Sequence, residues 1–127
     1  DGLEEAAAAF ARTWERLMGA RSFDTALIGM GPDGHICSLF PHHRALDSPG
    51  PVVRVPDSPK PPPQRITVSM AVMRSCRSLW LAAPGAAKAG AIAAALGGAP
   101  VEDYPVGAVL SPAARVYLDG PAARLVR

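Results

Sequence analysis

The chain is poor in the features that mark several protein classes. It has only 2 cysteines in 127 residues, Cys37 and Cys76, so no disulfide framework holds it together. Such scarcity fits a reducing compartment, and a cytoplasmic location is expected. Neither sign of charge dominates: 13 basic residues are interspersed with 11 acidic ones, leaving +2. That balance lacks the basic block of a nucleic-acid binder. No stretch approaches the roughly 18 uncharged apolar residues of a membrane span. The first residues, Asp1 to Glu5, are acidic and lack the basic and apolar regions of a signal peptide. No repeat period is present. What the chain does have is apolar content, 49% against 19% charged, which argues against disorder. Its length suits one domain with a core that needs no staples. The first residue is Asp rather than Met, so a processed or truncated chain is expected.

Periodicity supplies the elements. Leu3, Ala7, Phe10, Trp14 and Leu17 recur at helical steps and predict a helix over Leu3 to Met18, stopped at Gly19. Phe23 to Met30 reads as a strand, and the unbroken Ala26-Leu27-Ile28 predicts a parallel strand covered on both faces. Ile36 to Phe40 is expected to form one helical turn before Pro41. Val52 to Val55 and Ile66 to Met70 read as strands around a proline loop, Asp57 to Pro63. A short helix over Val72 to Cys76, a strand over Ser78 to Ala83 and an alanine-rich helix over Ala86 to Leu96 follow. Val106 to Leu110 is expected as a helical turn, Arg115 to Leu118 as a last strand and Pro121 to Val126 as a terminal helix. Alternating strands and helices predict an α/β fold on a mainly parallel sheet. Ligands of such sheets bind at the carboxyl ends of the strands, where the turns after Ile28 and Ala83 lie.

The turn Gly29-Met30-Gly31-Pro32-Asp33-Gly34-His35 carries the chemistry. It matches the G-x-G-x-x-G fingerprint of dinucleotide sites, and Asp57 lies 23 residues beyond Gly34. That reading requires a long helix after the turn, which Pro41, Pro49 and Pro51 forbid. His35, Cys37, His42 and His43 offer metal donors, but without a paired C-x-x-C or a helical spacing, so no metal site is assigned. Ser38 lacks the G-x-S-x-G setting of a hydrolase nucleophile. What is left is a loop whose glycines bring backbone N–H groups forward, with His35 as an acid–base group near neutrality and Asp33 to orient it.

Together with Ser38-Leu39-Phe40-Pro41, this turn resembles the signature of the 6-phosphogluconolactonase family. Ser58-Pro59-Lys60-Pro61-Pro62-Pro63-Gln64-Arg65-Ile66-Thr67 resembles a second block of that family. Gly85-Ala86-Ala87-Lys88-Ala89 resembles its turn entering a helix, and Leu118-Asp119 its C-terminus. The blocks stand in family order and cover nearly the whole chain. The wider glucosamine/galactosamine-6-phosphate isomerase superfamily includes glucosamine-6-phosphate deaminases, which follow the same turn with Asn-Glu-Pro. Here Ser38-Leu39-Phe40-Pro41 brings no acid, which favours the lactonase. The family's first strands, a phosphate-contacting loop and an arginine have no counterpart before Leu3. Residues 1–127 are therefore expected to be the C-terminal portion of one three-layer, Rossmann-like domain, and the N-terminal half an expected partner.

The resemblance implies hydrolysis of 6-phosphoglucono-δ-lactone, a small-molecule substrate, with no cofactor and no metal. His35 is the expected acid–base residue and Asp33 its partner. Backbone N–H groups around Gly31 and Gly34 are expected to hold the oxyanion, and Lys88, at a helix start, the phosphate. Arg65 and Lys60 flank the proline loop and are expected at the same cleft. The alternatives are a sugar-phosphate deaminase or isomerase using the same turn, and an inactive fragment that binds sugar phosphate.

Overall fold

The computed structural model describes residues 2–127. Its central unit is a three-stranded parallel sheet in the order β1-β4-β5, formed by Thr25–Ile28, Ser78–Ala82 and Arg115–Tyr117. The register pairs Ile28 with Leu81 and Ala82 with Tyr117, so β1 and β4 end side by side and their following turns are neighbours. Beside this sheet lies an antiparallel pair, β2 (Val52–Val55) and β3 (Arg65–Val68), with Val55 opposite Arg65. The chain is thus an α/β fold with a mainly parallel sheet flanked by helices.

Four helices follow from the local sequence. In α1, Gly2–Leu17, Leu3 and Trp14 are buried, and the helix packs on β2 and β3. Trp14 meets Phe10 and Phe23 edge to face, with ring centroids 6.5 and 5.4 Å away. The helix α2, Met70–Arg74, starts at Ser69, whose hydroxyl accepts from the Val72 N–H. The expected single helix over Ala86 to Leu96 is a 3-10 turn, Ala86–Lys88, leading into α3, Ala89–Leu96. The terminal helix is shorter than expected: α4 spans Gly120–Ala123, capped by Asp119. The helical turn expected near Val106 is a 3-10 turn over Pro105–Val109.

The core joins Leu79 and Leu81 of β4 to Met70 and Met73 of α2 and to Ala91, Ile92 and Ala95 of α3. Alternation along the strands sends Leu27, Trp80 and Tyr117 to the other face. That face is only partly covered: Leu27 is 70% exposed and Tyr117 49%, while Trp80 is half-buried against Tyr117 and Arg115. The expectation that β1 is covered on both faces therefore fails within the described residues. α2 and α3 both contribute to the cluster around Leu79 and Leu81.

A second correction concerns Ile36 to Phe40. These residues form a tight reverse turn in which the Leu39 N–H donates to the Ile36 carbonyl at 2.9 Å. Cys37 takes φ 53°. Pro41 has no N–H to continue a helical ladder, and the left-handed backbone at Cys37 turns the chain back before one can form. The structure also has a 3-10 turn the sequence reading lacked, Arg44–Asp47, capped by the His43 ring through the Ala45 N–H.

Candidate active site

The turn after β1 is built around one close approach. The His35 ring lies so near Gly31 that a Cβ there would stand 2.2 Å from the imidazole Cε1 and Nδ1. Only glycine leaves that space. Gly34 takes φ +82°, and a side chain there would also press on Tyr104. The turn then closes on itself. The Gly31 N–H donates to the His35 carbonyl at 3.0 Å and the Gly34 N–H to the Gly31 carbonyl at 2.9 Å. Both donors expected for an oxyanion are thus engaged inside the turn. Gly31 makes room for the imidazole, and Gly34 supplies a left-handed backbone beside Tyr104.

Asp33 and His35 form a close pair. The Asp33 Oδ1 lies 2.6 Å from His35 Nδ1 and accepts the His35 backbone N–H at 3.2 Å. A carboxylate can only accept, so Nδ1 donates to it, and in the neutral ring the lone pair is then on Nε2. Burial pushes the Asp33 carboxyl up, but the hydrogen bonds from His35 and the charges of His35 and Lys60 outweigh it and hold it below the ordinary range. The imidazole lies against the buried Phe40 ring, centroid to centroid 4.5 Å, tilted by 33°. The Ser38 N–H anchors the following turn on β3 through the Thr67 hydroxyl, at 3.1 Å.

The proline loop reaches this pair from the other side. Lys60 Nζ stands 3.4 Å from Asp33 Oδ2. The loop is closed by the Ser58 N–H, which donates to the Pro63 carbonyl at 2.8 Å, and by the Ser58 hydroxyl, which donates to the Lys60 carbonyl at 2.8 Å. Arg65 does not offer its whole guanidinium to a ligand. Nε and Nη2 donate to the carbonyls of Pro62, Lys60 and Pro61 at 2.9–3.1 Å. Its guanidinium carbon also lies 5.3 Å from the Phe40 ring centroid. Its chief task in this structure is to clamp the loop that carries Lys60.

Lys88 joins the two neighbouring turns: its ammonium donates to the Met30 carbonyl. The sequence reading missed the residue that sets the Lys88 turn. Asp119 Oδ1 accepts the Gly85 N–H at 3.0 Å and the Ala122 N–H at 2.9 Å, so it caps α4 and ties down the turn before Lys88. Those two hydrogen bonds hold its carboxyl below the ordinary range. The available signal was an Asp directly before Gly-Pro-Ala-Ala, a cap at a helix start.

The four residues weighed as metal donors do not converge. His42 Nε2 lies 2.7 Å from Asp103 and His43 Nε2 3.0 Å from Asp57. Among the described residues no group of three or more His, Cys, Asp or Glu has the placement to hold a metal. A cleft of about 540 Å³, lined by residues such as His42, Arg44, Arg74 and Glu102, does not include His35 or Asp33. No helix among the described residues is long and apolar enough to cross a membrane.

Comparison with known proteins gives the family. Residues 1–118 match the family model described as glucosamine-6-phosphate isomerases/6-phosphogluconolactonase. The chain is 54% identical over 92 residues to the 6-phosphogluconolactonase of Mycobacterium tuberculosis, covering 71% of this chain and 37% of that protein. It is 37% identical over 130 residues to the Bos taurus 6-phosphogluconolactonase, covering 98% of this chain and 50% of that one. The solved Trypanosoma brucei 6-phosphogluconolactonase superposes with a TM-score of 0.77 at 26% identity, covering 96% of this chain and 53% of that one. The chain spans about half the length, or less, of these relatives. With the turn, the proline block and the Lys88 turn all in place, the chain belongs to the glucosamine-6-phosphate isomerase/6-phosphogluconolactonase family.

Proposed function

We propose that residues 1–127 form the C-terminal, acid–base portion of a single-domain 6-phosphogluconolactonase, which hydrolyses 6-phospho-D-glucono-1,5-lactone to 6-phospho-D-gluconate in the oxidative pentose phosphate pathway. The observation that carries this reading is the Asp33–His35 pair at 2.6 Å, beside the carboxyl ends of β1 and β4.

In this reading, His35 Nε2 takes a proton from water as the water oxygen bonds to the lactone carbonyl carbon. The carbonyl becomes an oxyanion. The intermediate then collapses, the bond from that carbon to the ring oxygen breaks, and the imidazolium returns its proton to the leaving oxygen. Asp33 orients the ring and balances its charge while it is protonated. Lys88 takes the 6-phosphate. It has three N–H donors, of which one is used on Met30, so two remain for phosphate oxygens. The stretch Ser38-Leu39-Phe40-Pro41 brings no carboxylate, which supports ester hydrolysis over deamination.

The relatives' greater length and the partly covered face of the sheet support a complementing N-terminal half, which completes the substrate cleft. The reading also has the protein act in the cytoplasm on a free sugar phosphate, without nucleic acid or cofactor. The test is a pair of assays on a chain extended by the N-terminal half of a relative. One follows lactone hydrolysis and the other ammonia release from glucosamine 6-phosphate. Hydrolysis above the uncatalysed rate, unchanged by dialysis against a chelator and with no ammonia released, is expected. Ammonia release, or activity restored only by zinc, would overturn the reading.

A further inference from the structure

The Asp33 carboxylate has two oxygens, and the known pair uses only one. Oδ1 takes both donors of His35, while Oδ2 faces Lys60 Nζ at 3.4 Å. Lys60 does not arrive there as a freely swinging surface lysine. From Ser58 to Gln64 it is the one charged residue, and the segment around it is stiffened by four prolines. Ser58 bonds both the N–H and the carbonyl of Lys60, at 3.2 and 2.8 Å. Arg65 bonds the Lys60 carbonyl and the two after it, and packs on the same Phe40 ring that supports His35.

We propose that Lys60 is a positioning residue for the acid–base pair: its ammonium, held on the second oxygen of Asp33 by the arginine-clamped proline loop, weakens the carboxylate's pull on the imidazole and keeps His35 free to accept a proton. This inference rests on Asp33 and His35 being the acid–base pair, not on the identity of the lactone.

The charge count gives the reason. Carboxylate, ammonium and neutral imidazole sum to zero. A proton on His35 makes the group +1, so Lys60 opposes it. Without Lys60, the same proton would form a neutral Asp33–His35 ion pair and be favoured. The other groups around the pair are accounted for. Arg65 lies over Phe40 with its donors on loop carbonyls, and Lys88 is on the Met30 carbonyl. Tyr104 packs at Gly34, and the exposed Cys37 follows in the next turn. Besides His35 itself, Lys60 is the cation among the described residues that pairs with Asp33.

The test needs no substrate. The three histidines of the folded chain are titrated by NMR, with His42 and His43 as internal controls on their own aspartates. In Lys60→Met the midpoint of His35 is expected to rise by about 0.5–1 in pH, the scale of one partly solvated charge at this range. The controls should stay in place. Lys60→Arg should restore the original midpoint, and Arg65→Ala, which frees the loop but keeps the lysine, should move His35 in the same direction as Lys60→Met. Lys60→Gln serves if the Met variant loses its fold. An unmoved His35, or an equal shift of all three histidines, would overturn the proposal. So would a Lys60→Met enzyme, extended by the N-terminal half, whose KM rises while the acid limb of its pH profile stays, since that marks a direct phosphate ligand. Because the titration uses no lactone, its failure and that of the lactonase reading are separable.

Discussion

Two regions of this molecule are finished to different degrees. Around His35, the side chains of Asp33, Lys60, Arg65 and Phe40 hold one another through contacts made within this chain. Across the parallel sheet, Leu79 and Leu81 are buried, while on the other face Leu27 meets mostly solvent and Tyr117 is half exposed. The difference teaches that the Asp33–His35 pair and its supports are a local construction of two turns and a loop. The sheet beside it is packed on one face and only partly covered on the other among the described residues.

The largest effect should come from the buried face. Leu81→Ala is expected to cost about 2–5 kcal/mol of stability, since Leu81 is fully buried. Leu27→Ala in the same chain should change stability by less than about 0.5 kcal/mol. Denaturant titration of both variants checks the contrast, and equal losses would remove it. If the partly covered face becomes an interface when an N-terminal half is supplied, Leu27→Ala should become costly there.

On the site side, Lys88→Ala should weaken 6-phosphogluconate binding by about 10–100-fold, the loss of one charge-assisted contact of about 1.5–3 kcal/mol. Calorimetry on the extended chain measures it. Affinity for unphosphorylated gluconate should change little, and an equal loss for both ligands would make Lys88 a purely structural link to Met30.

Gly31→Ala sharpens the comparison further. Its Cβ would stand 2.2 Å from the His35 ring, so the ring must leave Asp33 or the turn must open. A stability loss of about 1–3 kcal/mol is expected. The Nδ1–H signal of His35 should lose its protection from exchange, and a protected signal would contradict the packing. The smallest effect is on pH. Asp33 and Asp119 both titrate below their unfolded range, so the stability they contribute is present above the unfolded value near pH 4 and is lost as pH falls through the folded one. Asp33→Asn should flatten the acid side of the stability profile, as followed by thermal melting between pH 2 and 6.

Much of this was legible in the sequence, because the signals were local. Apolar runs and glycine stops marked the strands and α1, and the glycine turn marked the site. Four things were not legible, each for a physical reason. The covered-on-both-faces pattern of Ala26-Leu27-Ile28 reports what a strand is suited to, not what this chain supplies. The reverse turn at Cys37 uses a left-handed backbone at a residue other than glycine, which no composition rule flags. Arg65 looked like a ligand-facing cation because its type is suited to anions. Its actual partners are backbone carbonyls, invisible until the proline loop is folded. Gly31 was chosen for its N–H, yet what matters is the side chain it lacks.

The central claim is that this half carries the proton-transfer chemistry through His35. It is tested most directly by the lactone hydrolysis rate of the extended chain with and without His35→Asn, each shown to be folded by its NMR spectrum. The account predicts a turnover lower by about 10²–10⁴-fold in the variant, with 6-phosphogluconate still bound. Turnover within a few-fold of the unsubstituted protein would contradict it.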